Sequence, residues 1–119
     1  MNRLTESGAR IMVTRLCKNF VTDTPADETE NEWVARALLL QQQLGRIIGV
    51  TPAADDIKEL ITTLEELESV ELGTHQDLVR NSAGTVDNTA ALTEHLMNRL
   101  NQETTDLLEH AHFGQVAVS

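Results

Sequence analysis

The stretch IIGVTPAADDIKELITTLEEL, residues 47–67, is the one on which the fold turns. Gly49 closes an apolar run as the left-handed residue that stops a helix. Thr51 and Pro52 follow as a capping hydroxyl and a proline suited to the first helical position, where a missing N–H goes unnoticed. Ile57, Leu60, Ile61, Leu64 and Leu67 then recur three and four residues apart, which is one face of an α-helix. Stop, cap and restart in that order predict a helical hairpin, and its short connection makes the two helices neighbours.

Upstream of the joint, Trp33, Ala37, Leu40, Leu44 and Ile47 form a helical stripe, broadened by Val34, Leu38 and Ile48. The run Leu38, Leu39, Leu40 is wider than one stripe, so this helix is either central or faces a partner. Its start is expected at Thr24-Pro25, with Thr24 as cap and Asp27, Glu28, Glu30 and Glu32 at the positive end of the helix dipole. Before it, Leu4, Ile11, Val13, Leu16, Cys17 and Phe20 give the apolar side of a first helix, from about Leu4 to Phe20. Arg3, Arg10, Arg15 and Lys18 concentrate basic charge on that helix. Downstream, Thr74 caps a short helix that holds Leu78 and Val79 and ends near Gly84. A last helix begins near Asp87 or Asn88, carries Leu92, Leu96, Leu100, Leu107 and Leu108, and ends at Gly114. The expectation is an all-α bundle of four main helices plus a short one, with residues 1–114 as one domain and 115–119 as a C-terminal tail.

Composition agrees with that pattern. The 119 residues are 40% hydrophobic but only 3% aromatic, without Tyr, so an aliphatic helical core is expected rather than a β-sandwich. A length of 119 residues suits a single core. The net charge of −10, from 19 acidic and 9 basic residues, repels nucleic acid and anionic membrane surfaces. Neither is expected as a partner. No apolar run approaches the ~20 residues of a membrane span, and no signal peptide opens the chain, so a cytoplasmic location is expected.

Little chemistry is spelled out. Cys17, beside Leu16 and Phe20, reads as a buried thiol. His110 and His112 are two apart, so they point away from each other on a helix, and a C-terminal position at the negative end of the dipole explains them without a metal. Glu65, Glu66 and Glu68 read as a solvated face. The chain has no nucleophile elbow, phosphate loop or dinucleotide fingerprint. No metal, no cofactor and no catalytic residue is expected, and nothing argues for an enzyme.

The order of elements resembles the N-terminal helical domain of SurA-type parvulin chaperones, and more closely the matching region of the nitrogenase iron-protein maturation isomerase. The likeness rests on ALLLQQQLGRIIGV at Ala37–Val50 and on the Gly49-Val50-Thr51-Pro52 joint with Asp55 and Asp56. THQDLVRNSAG at Thr74–Gly84 and the spacing of Leu92, Leu96 and Leu100 complete it. It spans roughly residues 9–110. Leu78 stands where the family carries an aromatic, and these 119 residues hold no isomerase domain, so isomerase activity is not expected of them. The resemblance implies a chaperone-like module that holds a client protein's apolar segment between helices. The groove candidates are Trp33, Leu39, Leu40 and Leu44 on one helix and Leu96, Met97 and Leu100 on the last. The alternative is a self-associating structural or regulatory module, with a homodimer as its partner.

Overall fold

The computed structural model describes residues 4–72 and 86–114, and among them the chain is all-α, with four helices and no strand. They are α1 (Glu6–Thr22), α2 (Glu30–Ile48), α3 (Ala54–Leu72) and α4 (Val86–His110). The short helix expected over Thr74–Gly84 and the tail from Gln115 lie outside the described residues.

Thr5 opens α1 by accepting a hydrogen bond from the Gly8 N–H at 3.0 Å. Ala9, Val13, Cys17, Phe20 and Val21 are its buried face. Ile11, expected on that face, is 56% exposed, because the stripe that meets α3 and α4 runs through Ala9 and Val13 instead. Burial pushes the Cys17 thiol up to about 12, so it is a packing residue and not a nucleophile.

The cap of α2 is Thr29, five residues beyond the expected Thr24. Thr29 accepts from the Glu32 N–H while the Glu32 carboxylate reaches back to the Thr29 N–H, a reciprocal box that satisfies two otherwise unpaired donors. Thr24 serves the end of α1 instead, donating its hydroxyl to the Phe20 carbonyl at 3.1 Å. The end of α2 follows the sequence reading: Gly49 has φ 82° and its N–H meets the Gly45 carbonyl at 3.0 Å. Gly45 is needed for a second reason, since a Cβ there would lie 2.8 Å from the Thr51 hydroxyl. The first helical residue after the joint is Ala54, so Thr51 and Pro52 belong to the connection. Pro52 is fully buried there, and its carbonyl accepts from the Gln41 side chain at 2.9 Å.

α3 buries Ile57, Leu60, Ile61, Leu64 and Leu67, the face expected for it. It is the central element, packed most extensively on α4 and then on α1. α2 leans on α1 and more lightly on α3, and has no substantial contact with α4. α4 contributes Leu96, Leu100, Leu107 and Leu108 to the core. Its helix stops at His110, and the reversal is carried by His112 (φ 59°) before Gly114 is reached. The Phe113 N–H meets the Leu108 carbonyl at 2.9 Å and the His112 N–H meets that of Glu109 at 3.0 Å. That pair of bonds is a Schellman closure with a histidine in the usual glycine position, and half-buried Phe113 folds back against the core beside it.

Polar side chains set the register of α3 against α4. His110 Nδ1 lies 3.0 Å from the Asp56 carboxylate, joining the negative end of α4 to the positive start of α3. Two turns further along α3, fully buried Thr63 donates to Glu103 and accepts from Arg99 Nε at 2.9 Å, while Arg99 also pairs with Glu66. The pairs run antiparallel along the two helices.

The His110 contact gives stability a pH dependence. The hydrogen bond to Asp56, then the charge of Asp56, raise the imidazole above its ordinary 6.5, with Asp106 and Glu109 adding less. A group with a raised folded pKa contributes stability that is complete below the unfolded value and fades as pH climbs through the folded one. His110→Gln is therefore expected to lower Tm at roughly pH 5.5 and to make little difference at roughly pH 9. Thermal melts of both proteins at the two pH values check this. A Tm difference that grows with pH contradicts it.

Candidate protein-binding site

The N-terminal half of α2 packs on the edge of the core through Trp33 and Ala37, and Arg36 ties it to the end of α1. Arg36 lays its guanidinium over the Phe20 ring, 3.9 Å from the centroid, and Phe20 meets Trp33 edge-on at 5.7 Å and 85°. The same guanidinium forks onto the buried Glu28 carboxylate. It also donates to the Phe20 carbonyl at 3.0 Å and the Thr24 hydroxyl at 2.9 Å, capping the end of α1. The Arg36 hydrogen bond holds the Glu28 carboxyl below its ordinary value.

This anchoring leaves an apolar groove between α2 and α3. Trp33, Ala37 and Leu38 form one wall and Ile57 and Ile61 the other, around a cavity of about 180 Å³. Asp55 and Lys58 stand at its α3 rim. Val34 and Leu38, one turn apart along the lip, are 46% and 52% exposed, and Leu39 beside them is 63% exposed. From Trp33 to Gly45 the one charged residue is Arg36, and its charge is turned toward Glu28 and α1. The outward strip of Val34, Ala35, Leu38, Leu39, Gln42 and Gln43 is therefore exposed and uncharged in a chain that is 24% charged.

The seven residues singled out from sequence do not share one surface. Leu40, Leu44, Leu96 and Leu100 pack in the core. Trp33 is half-buried in the wall of the α2–α3 groove, and Leu39 lies on the open face of α2. Met97 is 51% exposed, but it borders α1 and not α2. A groove between α2 and the last helix does not form, because α1 and α3 stand between them. Val34, Leu38 and Ile57, which the sequence reading placed on helical stripes but not among the binding candidates, line this groove. For Leu38 the signal was the missing charge in ALLLQQQLG, which a hydrophobicity count does not register.

Comparison with family models, curated proteins and solved structures finds no match to this chain. Its own surface must therefore carry the functional reading. Among the described residues, no group of three or more His, Cys, Asp or Glu is placed to hold a metal ion. No helix among them is long and apolar enough to cross a membrane. Glu103 is held above its ordinary value, chiefly by burial, with Thr63 and Arg99 opposing the rise. Its bonds run to residues that join α3 to α4, which accounts for it as a structural group.

Proposed function

We propose that the chain is a chaperone-like, non-catalytic protein-binding module that takes an apolar helical segment of a client protein onto α2. The observation that carries this reading is the uncharged, exposed strip of α2 beside the Trp33 groove. Val34 and Leu38 are spaced as anchors for a helix laid along the groove, the i, i+4 pattern of helix-in-groove recognition. Covering the half-exposed Val34, Leu38 and Leu39 contributes on the order of 1 kcal/mol each. Once the cost of association is met, that suits a holder that releases its client rather than a permanent complex. The resemblance in helix order to SurA-type domains supplies the chaperone element of the proposal.

The double variant Val34→Asp/Leu38→Asp tests it. Both side chains already meet water, so the fold should survive, with Tm within about 3 °C of the parent. The parent protein should suppress aggregation of a heated test protein in a light-scattering assay, and the variant should need roughly tenfold more protein for the same effect. A parent with no effect, or a variant as potent as the parent, overturns the proposal.

A second reading has its own support. Two copies each carrying −10 repel, yet an uncharged face lets them meet without opposing carboxylates. Gln42 and Gln43 can each donate and accept across a twofold axis, so the strip is self-complementary. Sedimentation separates the readings: a tight dimer that Val34→Asp/Leu38→Asp dissolves favours self-association over client binding.

A further inference from the structure

A second groove, on the opposite side of α1 from α2, has a different chemistry. It lies between α1 and α4 and encloses about 590 Å³. Arg10, Arg15 and Lys18 line it together with Ile11, Met97 and Asn101, and among the described residues no acidic one does. That is anomalous for a chain with 19 acidic and 9 basic residues.

These basic side chains form no ion pair with any described residue, though Lys18 also borders an adjoining cleft lined by Glu68 and Glu71. Among the described residues the ion pairs use Arg36, Arg99 and His110, and none uses Arg10, Arg15 or Lys18. Arg10 is held down by neutral acceptors, the Thr105 hydroxyl at 2.8 Å and the Asn101 carbonyl at 3.1 Å, with the Asn101 side chain as a third. Those bonds fix its direction without a carboxylate among the acceptors. Arg15 and Lys18 are exposed, and with Ile11 they fall on one stripe of α1 at i, i+4 and i+7. Ile11 and Met97 are 56% and 51% exposed, large apolar side chains left in water between the cations.

We propose that the α1–α4 groove docks an acidic amphipathic helix of a partner protein. Its apolar stripe would cover Ile11 and Met97, and its carboxylates would face Arg10, Arg15 and Lys18. From Ile11 to Lys18 is about 10 Å along the helix axis, or roughly two turns. A partner helix with acidic residues repeated at i, i+4 and i+7 beside a leucine stripe matches that length in both chemistries. A polyphosphate chain would satisfy the cations and leave Ile11 and Met97 uncovered, and the net charge of −10 repels it at long range. This site is separate from the α2 strip, so either can stand without the other.

The probe is a fluorescein-labelled helical peptide of about 20 residues, with Leu at i, i+4 and Glu on both flanks, titrated with the full chain by anisotropy. Binding is expected to weaken about tenfold between roughly 50 and 300 mM salt, because the steering charges are exposed. Arg15→Glu/Lys18→Glu should weaken it at least about tenfold, and Ile11→Asp similarly, with circular dichroism reporting an unchanged fold. Val34→Asp/Leu38→Asp should bind the peptide as the parent does, which separates a failure here from a failure of the α2 proposal. No binding at about 1 mM protein, equal binding of a peptide with Lys in place of Glu, or binding untouched by the charge reversal each overturns the proposal. So does tighter binding of a single-stranded oligonucleotide, or self-association in place of peptide binding.

Discussion

Leu44→Ala should lower stability by about 3 kcal/mol, whereas Leu39→Ala should change it by less than about 0.5 kcal/mol. Leu44 is fully buried between α2 and the rest of the core, so its loss removes contacts and leaves a cavity that the packed helices cannot collapse around. Leu39 stands in water on the open face of α2, where truncation removes little that the fold uses. For a domain of this size the difference amounts to roughly 10 °C in Tm, well within the reach of thermal melts or urea titrations. The contrast matters because sequence alone placed both residues in the same binding surface. A Leu39→Ala protein as unstable as Leu44→Ala would mean that the α2 strip is covered within the fold, and the proposed site would lose its basis.

Arg36→Ala is expected to lower Tm by about 5 °C, through the hydrogen bonds and ring contact it removes at the molecule's edge. The substitution strands the buried Glu28 carboxylate, uncaps the Phe20 carbonyl and removes the cation from the Phe20 ring at once. Arg36→Lys keeps a charge but cannot reproduce the fork onto Glu28 together with the bond to Phe20, so it should fall between alanine and the parent. The pH dependence has a definite sign. Glu28 has a lowered folded pKa, so the Arg36 contribution is present above its ordinary 4.5 and is lost as pH falls through the folded value. The Tm gap between Arg36→Ala and the parent should therefore narrow as acidification carries the pH below 4.5 and on through the folded value. A gap that stays constant to the lowest pH at which both proteins remain folded would show that Arg36 acts through ring packing and the α1 cap alone. Because Arg36 holds Trp33 through Phe20, Arg36→Ala should also weaken client binding at the α2–α3 groove.

Helix identity was legible in the sequence because its signals are local. Gly49 stops α2 where a left-handed residue is needed, and the Ile57–Leu67 stripe is buried as its spacing implies. Errors fell where two local signals competed. Thr24-Pro25 read as the start of α2, yet the helix begins after Thr29, whose box with Glu32 pairs two N–H groups, while Thr24 is drawn to Phe20 and Arg36. Similarly, Gly114 looked like the end of α4, yet the chain reverses at His112, where Phe113 can fold back onto the core.

By itself the sequence determined the helical class, the stripe of α3 and the stop at Gly49, since the repeat of an α-helix and the chemistry of its ends depend on nearest neighbours along the chain. Tertiary structure alone decided that Leu40 and Leu44, offered by the sequence as groove residues, are core while Leu38 and Leu39 stay in water, since that depends on what lies across from α2. It placed α1 and α3 between α2 and α4, and so divided the expected groove into an uncharged strip on one side and a basic groove on the other. It also brought Asp56 to His110 and Arg99 to Thr63, pairs that no local pattern joins. Burial and charge pairing depend on residues far apart in the chain, and only the packed helices bring those residues together.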